Sequence, residues 1–386
     1  MLILKNAHIL TMAGVELEQG DIALEGDKIV AIGRHIPSGG DLSMDLAGKW
    51  IMPGIVDAHS HIGLINDGTG RDGEDVNEMT CPNTAHLRAI DGINPFDHCF
   101  VEAYEHGVTS VVTGPGSANV IAGQFAALKT YGRCVEEMVI REPVAVKVAF
   151  GENPKNVYGP DKKAPSTRMA TAGILREALL SAQEYGRKRR NPDESKRPEK
   201  DLRKEALLLA LEGKVPLKAH AHRADDILTA LRIAKEFGCD ITLDHCTEGY
   251  LIADLLKEAD AKIIVGPLIC ERSKIELKNL TFQAPRLLHE AGLKFAIMTD
   301  HPVVPCQHLS VMAAIAVREG LDERTALESI TINAAQITGI SDRVGSLEIG
   351  KDADLAVYSG HPLDVRSRVE MTIINGRIVF DRRSRS

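Results

Sequence analysis

Eight apolar runs of strand length alternate with helical stretches along the chain: Trp50–Val56, Thr109–Thr113, Gln124–Lys129, Val144–Phe150, Val215–Ala219, Asp240–Leu243, Lys262–Val265 and Lys294–Met298. Strands that alternate with helices pair in parallel, and eight of them close into a barrel. The predicted fold is therefore α/β, a (β/α)8 TIM-like barrel. Its helices are legible too: Ile227, Leu228, Leu231 and Ala234 recur at helical spacing within Asp225–Phe237, and Gly238 follows as a stop. A second helix is expected over about 199–211. The chain ends differ in texture. Residues 2–10 and 21–32 are short, β-rich and broken by turn residues, and the same pattern returns in 355–358 and 372–380, where Asn375-Gly376 is a strong hairpin turn. We expect the two termini, 1–50 plus 345–386, to form one small β-sandwich domain beside a catalytic barrel of residues 51–344.

Composition removes several function classes. With 44% apolar and 26% charged residues, the chain has the profile of a soluble globular protein. A formal charge of −8 argues against nucleic-acid binding, which needs a basic surface, and leaves a small molecule as the expected partner. The basic run Arg187–Arg190 is diluted by Asp193, Glu194 and Glu199 and reads as a solvated helix or loop. No stretch approaches the roughly 20 apolar residues of a membrane helix, and the start lacks a basic segment followed by a long apolar run. The seven cysteines are scattered and never form a CxxC pair, as expected of reduced thiols in a cytoplasmic protein. Segments 62–98 and 151–200 exceed ordinary loop length, which points to a pocket wall, a lid or a contact within a homo-oligomer.

Four of the eight runs stop at potential metal ligands. His59 and His61 follow the first, and residues i and i+2 on a strand project to one face. His220 and His222 close the fifth, Asp244 and His245 the sixth, and Asp300 and His301 the eighth. Any one of these reads as a hydrogen-bonded loop histidine; four together at the mouth of a barrel point to a divalent ion, with imidazole and carboxylate donors suited to zinc. His222 is a candidate to polarise a substrate carbonyl, or else it hydrogen-bonds Asp225 or Asp226. Residues 113–119 can lend backbone N–H groups to a substrate or form a plain barrel turn. Glu152, Tyr158 and Arg168, beyond the fourth run, are candidates to line the pocket or to shape a surface loop.

The set His59-x-His61, His220, His245 and Asp300 resembles the amidohydrolase superfamily, and the order of elements is similar to imidazolonepropionase and its related amidohydrolases. Val344–Leu355, preceded by Thr331–Ala335, resembles that family's return from barrel to β domain, so the likeness spans essentially the whole chain. It implies that His59 and His61 hold the deeper metal position, that His220 and His245 complete or extend the site, and that Asp300 binds metal and handles the proton. Several relatives carry a carboxylated lysine on the fourth strand that bridges two ions, and Lys147 stands in the corresponding run; the alternative is a lysine paired with a carboxylate such as Glu152. One ion or two are therefore open. The implied function is hydrolysis of a carbon–nitrogen bond in a small molecule, a non-peptide amide or a cyclic amide or amidine, by metal-activated water. Alternatives are a prolidase-like dipeptidase, with Arg168, Arg223 and Arg272 available for a carboxylate, a heterocycle deaminase, and a non-catalytic scaffold of the same fold.

Overall fold

The structure, a computed structural model, describes residues 1–385. Strands β1 (Leu2–Leu10), β2 (Glu16–Glu25), β3 (Lys28–Gly33), β4 (Leu42–Asp45) and β5 (Trp50–Pro53) open the chain. The barrel strands follow: β6 (Ile55–Ser60), β7 (Val108–Thr113), β8 (Ile121–Lys129), β9 (Val139–Ala149), β10 (Leu217–Ala221), β11 (Ile241–His245), β12 (Lys262–Val265) and β13 (Phe295–Ile297). Strands β14 (Leu355–Tyr358), β15 (Val369–Ile374) and β16 (Arg377–Asp381) close the chain.

The barrel strands lie side by side in sequence order. At the mouth the curl comes almost to closure, with Asp300 N–H donating to the His59 carbonyl at 3.1 Å and His61 N–H to the His301 carbonyl at 2.9 Å. One strand departs from the expected all-parallel barrel: β8 runs antiparallel to both β7 and β9. The reason is the length of its connections. Residues 114–120 and 130–138 hold no more than the short helix Val135–Met138, whereas a parallel crossover takes about a dozen residues or more.

The run Trp50–Val56 is also not one strand. It breaks at Gly54, where a Cβ would lie 2.0 Å from Thr109 Oγ1, so only glycine lets the chain pass β7 this closely. Before the break β5 joins the terminal sheet, of order β16-β15-β14-β5-β1-β2-β3 with β4 beside β1, and after it β6 joins the barrel. Strands from both chain ends thus share one hydrogen-bonded sheet, over an apolar core that includes Ile9, Ile51, Leu355 and Ile373.

The helix Ala224–Phe237 ends on Gly238 in the left-handed conformation at φ 66°. Leu202–Leu211 is helical as well. Much of 151–200, expected as a long loop, is helical in Glu152–Tyr158 and Arg168–Arg189, and the basic run finishes the second of these. By contrast 62–98 holds only two short 3-10 turns before its last residue. Among the described residues no helix is long and apolar enough to cross a membrane.

Candidate metal centre

Alternation along a strand brings Asp57, His59 and His61 inward from β6 and its end. His59 is fully buried; its Nδ1 lies 2.8 Å from Asp244 Oδ2 and its Nε2 3.2 Å from Asp300 Oδ1. His61 meets the same Asp300 oxygen at 3.3 Å through Nε2, while its Nδ1 sits 2.7 Å from the Gly114 carbonyl. A carbonyl partner on Nδ1 selects the tautomer whose Nε2 is free to bind a metal. Asp300 and His245 hold φ values of +53° and +70°. Left-handed backbone at such residues costs about 1–3 kcal/mol and persists where surrounding structure imposes it.

A second group faces the first. One ligand atom from each of His220, His222 and His245 lies within 4.8 Å of the other two, and the same holds for His59, His245 and Asp300, so His245 belongs to both groups. His245 Nδ1 lies 3.0 Å from the Gly266 carbonyl, and His222 Nδ1 lies 2.8 Å from Thr247 Oγ1 rather than on Asp225 or Asp226. Burial keeps these imidazoles uncharged: it pushes His220 and His245 well below the usual histidine range and His222 down to about 3. Burial also opposes ionisation of Asp300, yet the imidazoles of His245, His59 and His61 outweigh it and hold the carboxyl well below its ordinary value. Neutral imidazoles around an ionised carboxylate are the donor set a divalent cation needs, so these residues fit a metal.

Lys147 is fully buried beside this cluster, its Nζ 3.4 Å from His59 Nε2 and 3.5 Å from Asp244 Oδ2. It pairs with Asp244 and not with Glu152. Lys218, its register neighbour on β10, donates to Asp244 Oδ1 at 3.0 Å and to the Ala58 carbonyl at 3.0 Å. Burial pushes the Lys147 amine down to about 8 and the Asp57 carboxyl, hydrogen-bonded by Thr299, up to about 7. Sequence reasoning missed Asp57 and Lys218, although the i, i+2 rule that pairs His59 with His61 extends to Asp57, and from His220 back to Lys218.

A cavity of about 390 Å³ opens onto His61, His220, His222, His245 and Asp300. Val76 and Asn77 from the 62–98 segment and Gly116 and Ser117 from the β7–β8 connection form part of its wall, as does Lys274, which donates to Asn153 Oδ1 at 2.8 Å. The structure does not bring Glu152, Tyr158 or Arg168 to this wall. Glu152 gives its backbone N–H to Glu276 Oε2 at 3.1 Å, and the Tyr158 hydroxyl donates to Asn119 Oδ1 at 2.5 Å. Arg168 lies in a separate cavity, drawn 2.9 Å from Asp226, because a guanidinium finds a buried carboxylate there. Arg223 pairs with Asp225 and Arg272 donates to the Leu280 carbonyl, so the cation on the wall is Lys274. Neither Lys274 nor Glu276 carries a local sequence signal, since both come from the irregular segment after β12.

Residues 50–379 match the amidohydrolase family. The chain is 30% identical over 397 residues to amidohydrolase tasK of Hapsidospora irregularis, an alignment that covers 94% of this chain and 40% of that protein. It is 23% identical over 417 residues to an imidazolonepropionase of Maricaulis maris, covering 98% of each. The crystal structure of an amidohydrolase from Thermotoga maritima superposes with a TM-score of 0.96 at 44% identity, covering 99% of this chain and 100% of that one. The chain spans about half the length of the first curated relatives it matches, 40% and 54%.

Proposed function

We infer the activity from one premise: the chain belongs to the amidohydrolase family. The proposed reaction is hydrolysis of a carbon–nitrogen bond in a small molecule, a non-peptide amide or a cyclic amide or amidine. The observation that carries this reading is the convergence of two ligand-spaced groups on one cavity, with His245 common to both. His59, His61 and Asp300 would hold one divalent ion, and His220 and His245 a second, with zinc favoured by the imidazole-rich donors. Such an ion, when bound, would polarise the bond under attack and would bring the pKa of water to about 7.

The chain's own residues supply the rest. Asp300 stays ionised between His59 and His61, so its carboxylate can accept the proton of the attacking water and return it to the departing nitrogen. Lys147 is the candidate bridge: its ammonium would give up one proton, and the neutral amine would add to carbon dioxide and lose a second, so that a cation becomes a carbamate with two oxygen donors. Its place beside His59 supports this, as does Lys218, which gives Asp244 another ammonium partner. A dipeptidase is the second reading, favoured by Lys274, a wall cation suited to a terminal carboxylate.

The same proposal keeps a small β-sandwich domain of residues 1–50 plus 345–386, supported by the shared terminal core, beside a catalytic barrel of 51–344. It also takes the protein to be a homo-oligomer and to be cytoplasmic, and the seven free thiols support the second of these. The test is a metal assay coupled to a panel of amides, lactams, cyclic amidines, dipeptides and aminated heterocycles. We expect turnover of an amide or cyclic amide that chelation removes and Zn²⁺ restores. Turnover indifferent to chelation would overturn the reading, as would metal-loaded protein inert to the whole panel.

A further inference from the structure

We propose that His220, His222, His245 and Glu276 form a site sufficient to hold one divalent cation even when Lys147 is removed. The inference deepens the metal-dependent reading above and rests on it only in that a divalent ion enters this cavity. In place of a carbonyl-polarising role, His222 becomes a ligand.

Three observations converge. The first is the grouping of the imidazoles, each with one ligand atom within 4.8 Å of the others. The second is their orientation: the Gly266 carbonyl on Nδ1 of His245 leaves Nε2 as that ring's donor, and with Thr247 Oγ1 on Nδ1 of His222 it is Nε2, 3.6 Å from Glu276 Oε1, that this second ring turns to the group. The third is Glu276. Its side chain is 1% exposed, and Oε1 has no hydrogen-bond partner although it lies 3.8 Å from His220 Nε2 and 3.6 Å from His222 Nε2. Those separations exceed a hydrogen bond, so a buried acceptor is left unmet, a costly state unless something else satisfies it.

The fold holds that oxygen where it is. Glu276 Oε2 accepts the Glu152 N–H at 3.1 Å, and at Gly151, with φ +83°, a Cβ would fall 2.6 Å from the same oxygen. A left-handed glycine thus lets the carboxylate approach the backbone while Oε1 stays turned to the imidazoles. Three nitrogens and one carboxylate oxygen make the four-donor set that zinc takes in closed sites.

The test measures Co²⁺ and Zn²⁺ binding to chelated and reconstituted full-length protein, by metal stoichiometry, Kd and the visible Co²⁺ spectrum, with circular dichroism to verify folding. In Lys147→Met we expect at least one equivalent to remain, with the spectrum of low-coordinate Co²⁺. Adding His222→Asn to that variant should weaken the remaining ion by tenfold or more. Glu276→Gln, alone and in the same background, should weaken it by about 10- to 100-fold and serves if the histidine variant does not fold. Unchanged Kd and spectrum in the folded His222 and Glu276 variants would overturn the proposal, as would a Lys147→Met protein that binds no ion while the parent binds its full complement. If the parent itself took up no divalent ion, the metal-dependent reading would fall too, which separates the two failures.

Discussion

At the scale of single residues, Asp300 is where the proposed chemistry is most exposed to test. Its oxygen sits 3.2 Å from His59 Nε2 and 3.3 Å from His61 Nε2, in a backbone conformation its neighbours impose. Asparagine keeps the shape and one acceptor oxygen but cannot take a proton near neutral pH. Asp300→Asn should therefore lower kcat by about 10²–10⁴-fold or more while much of the metal stays bound. Measuring kcat and metal content on one preparation, with His59→Ala as the metal-loss control, decides it; near-parental kcat in loaded protein would hand the proton to another group. The histidines and Asp300 were legible because strand alternation is a local rule. Lys147 was legible as buried and basic, but its pairing with Asp244 and not Glu152 was not, since Asp244 reaches it from a strand 97 residues away.

Among the elements, β8 shows what periodicity leaves open. An apolar run announces a strand and says nothing of its direction; here two short connections turn it antiparallel. Its last residue, Lys129, is buried between Asp352, at 2.8 Å, and Asp354, both on the segment that leads into β14. Lys28 from β3 and Arg343 also reach Asp352, at 2.6 and 2.8 Å. This cluster ties the barrel to the terminal sheet. Removing one member of a buried ion cluster typically costs about 3–5 kcal/mol, because the partners remain buried without it. Lys129→Met should accordingly lower the denaturant midpoint and loosen the terminal sheet in hydrogen exchange. A parental midpoint would show that Lys28 and Arg343 suffice.

For the whole molecule, the concentration of buried imidazoles sets an acid limit. His59, His220, His222, His245 and His301 are all held below the ordinary histidine value by burial, His222 at about 3 and His301 at about 4. Below about pH 6.5 the unfolded chain takes up protons that the folded chain refuses, so the stability of the metal-free protein falls as pH drops from there toward 3. Asp57, raised to about 7 by burial, works in the opposite direction, one proton against several. Asp352, with its carboxyl at about 2 because Lys129 outweighs burial, adds its loss only below about pH 3.8. Denaturant midpoints of chelated protein should therefore decline between pH 7 and 5. A flat profile there would mean that these histidines protonate without unfolding.

By itself the sequence determined the eight apolar runs that supply the barrel strands, the hairpins of both termini and the imidazoles that share a strand face, because each follows from a repeat two to four residues long. Only the tertiary structure decided what meets across the barrel. Glu276 is carried to His220 and His222 and Lys274 to the cavity wall, both by the irregular segment after β12. Arg168 and Tyr158 turn away to Asp226 and Asn119. Side chains distant along the chain meet only when the sheet curls and its connections pack, and no pattern within one segment encodes that encounter.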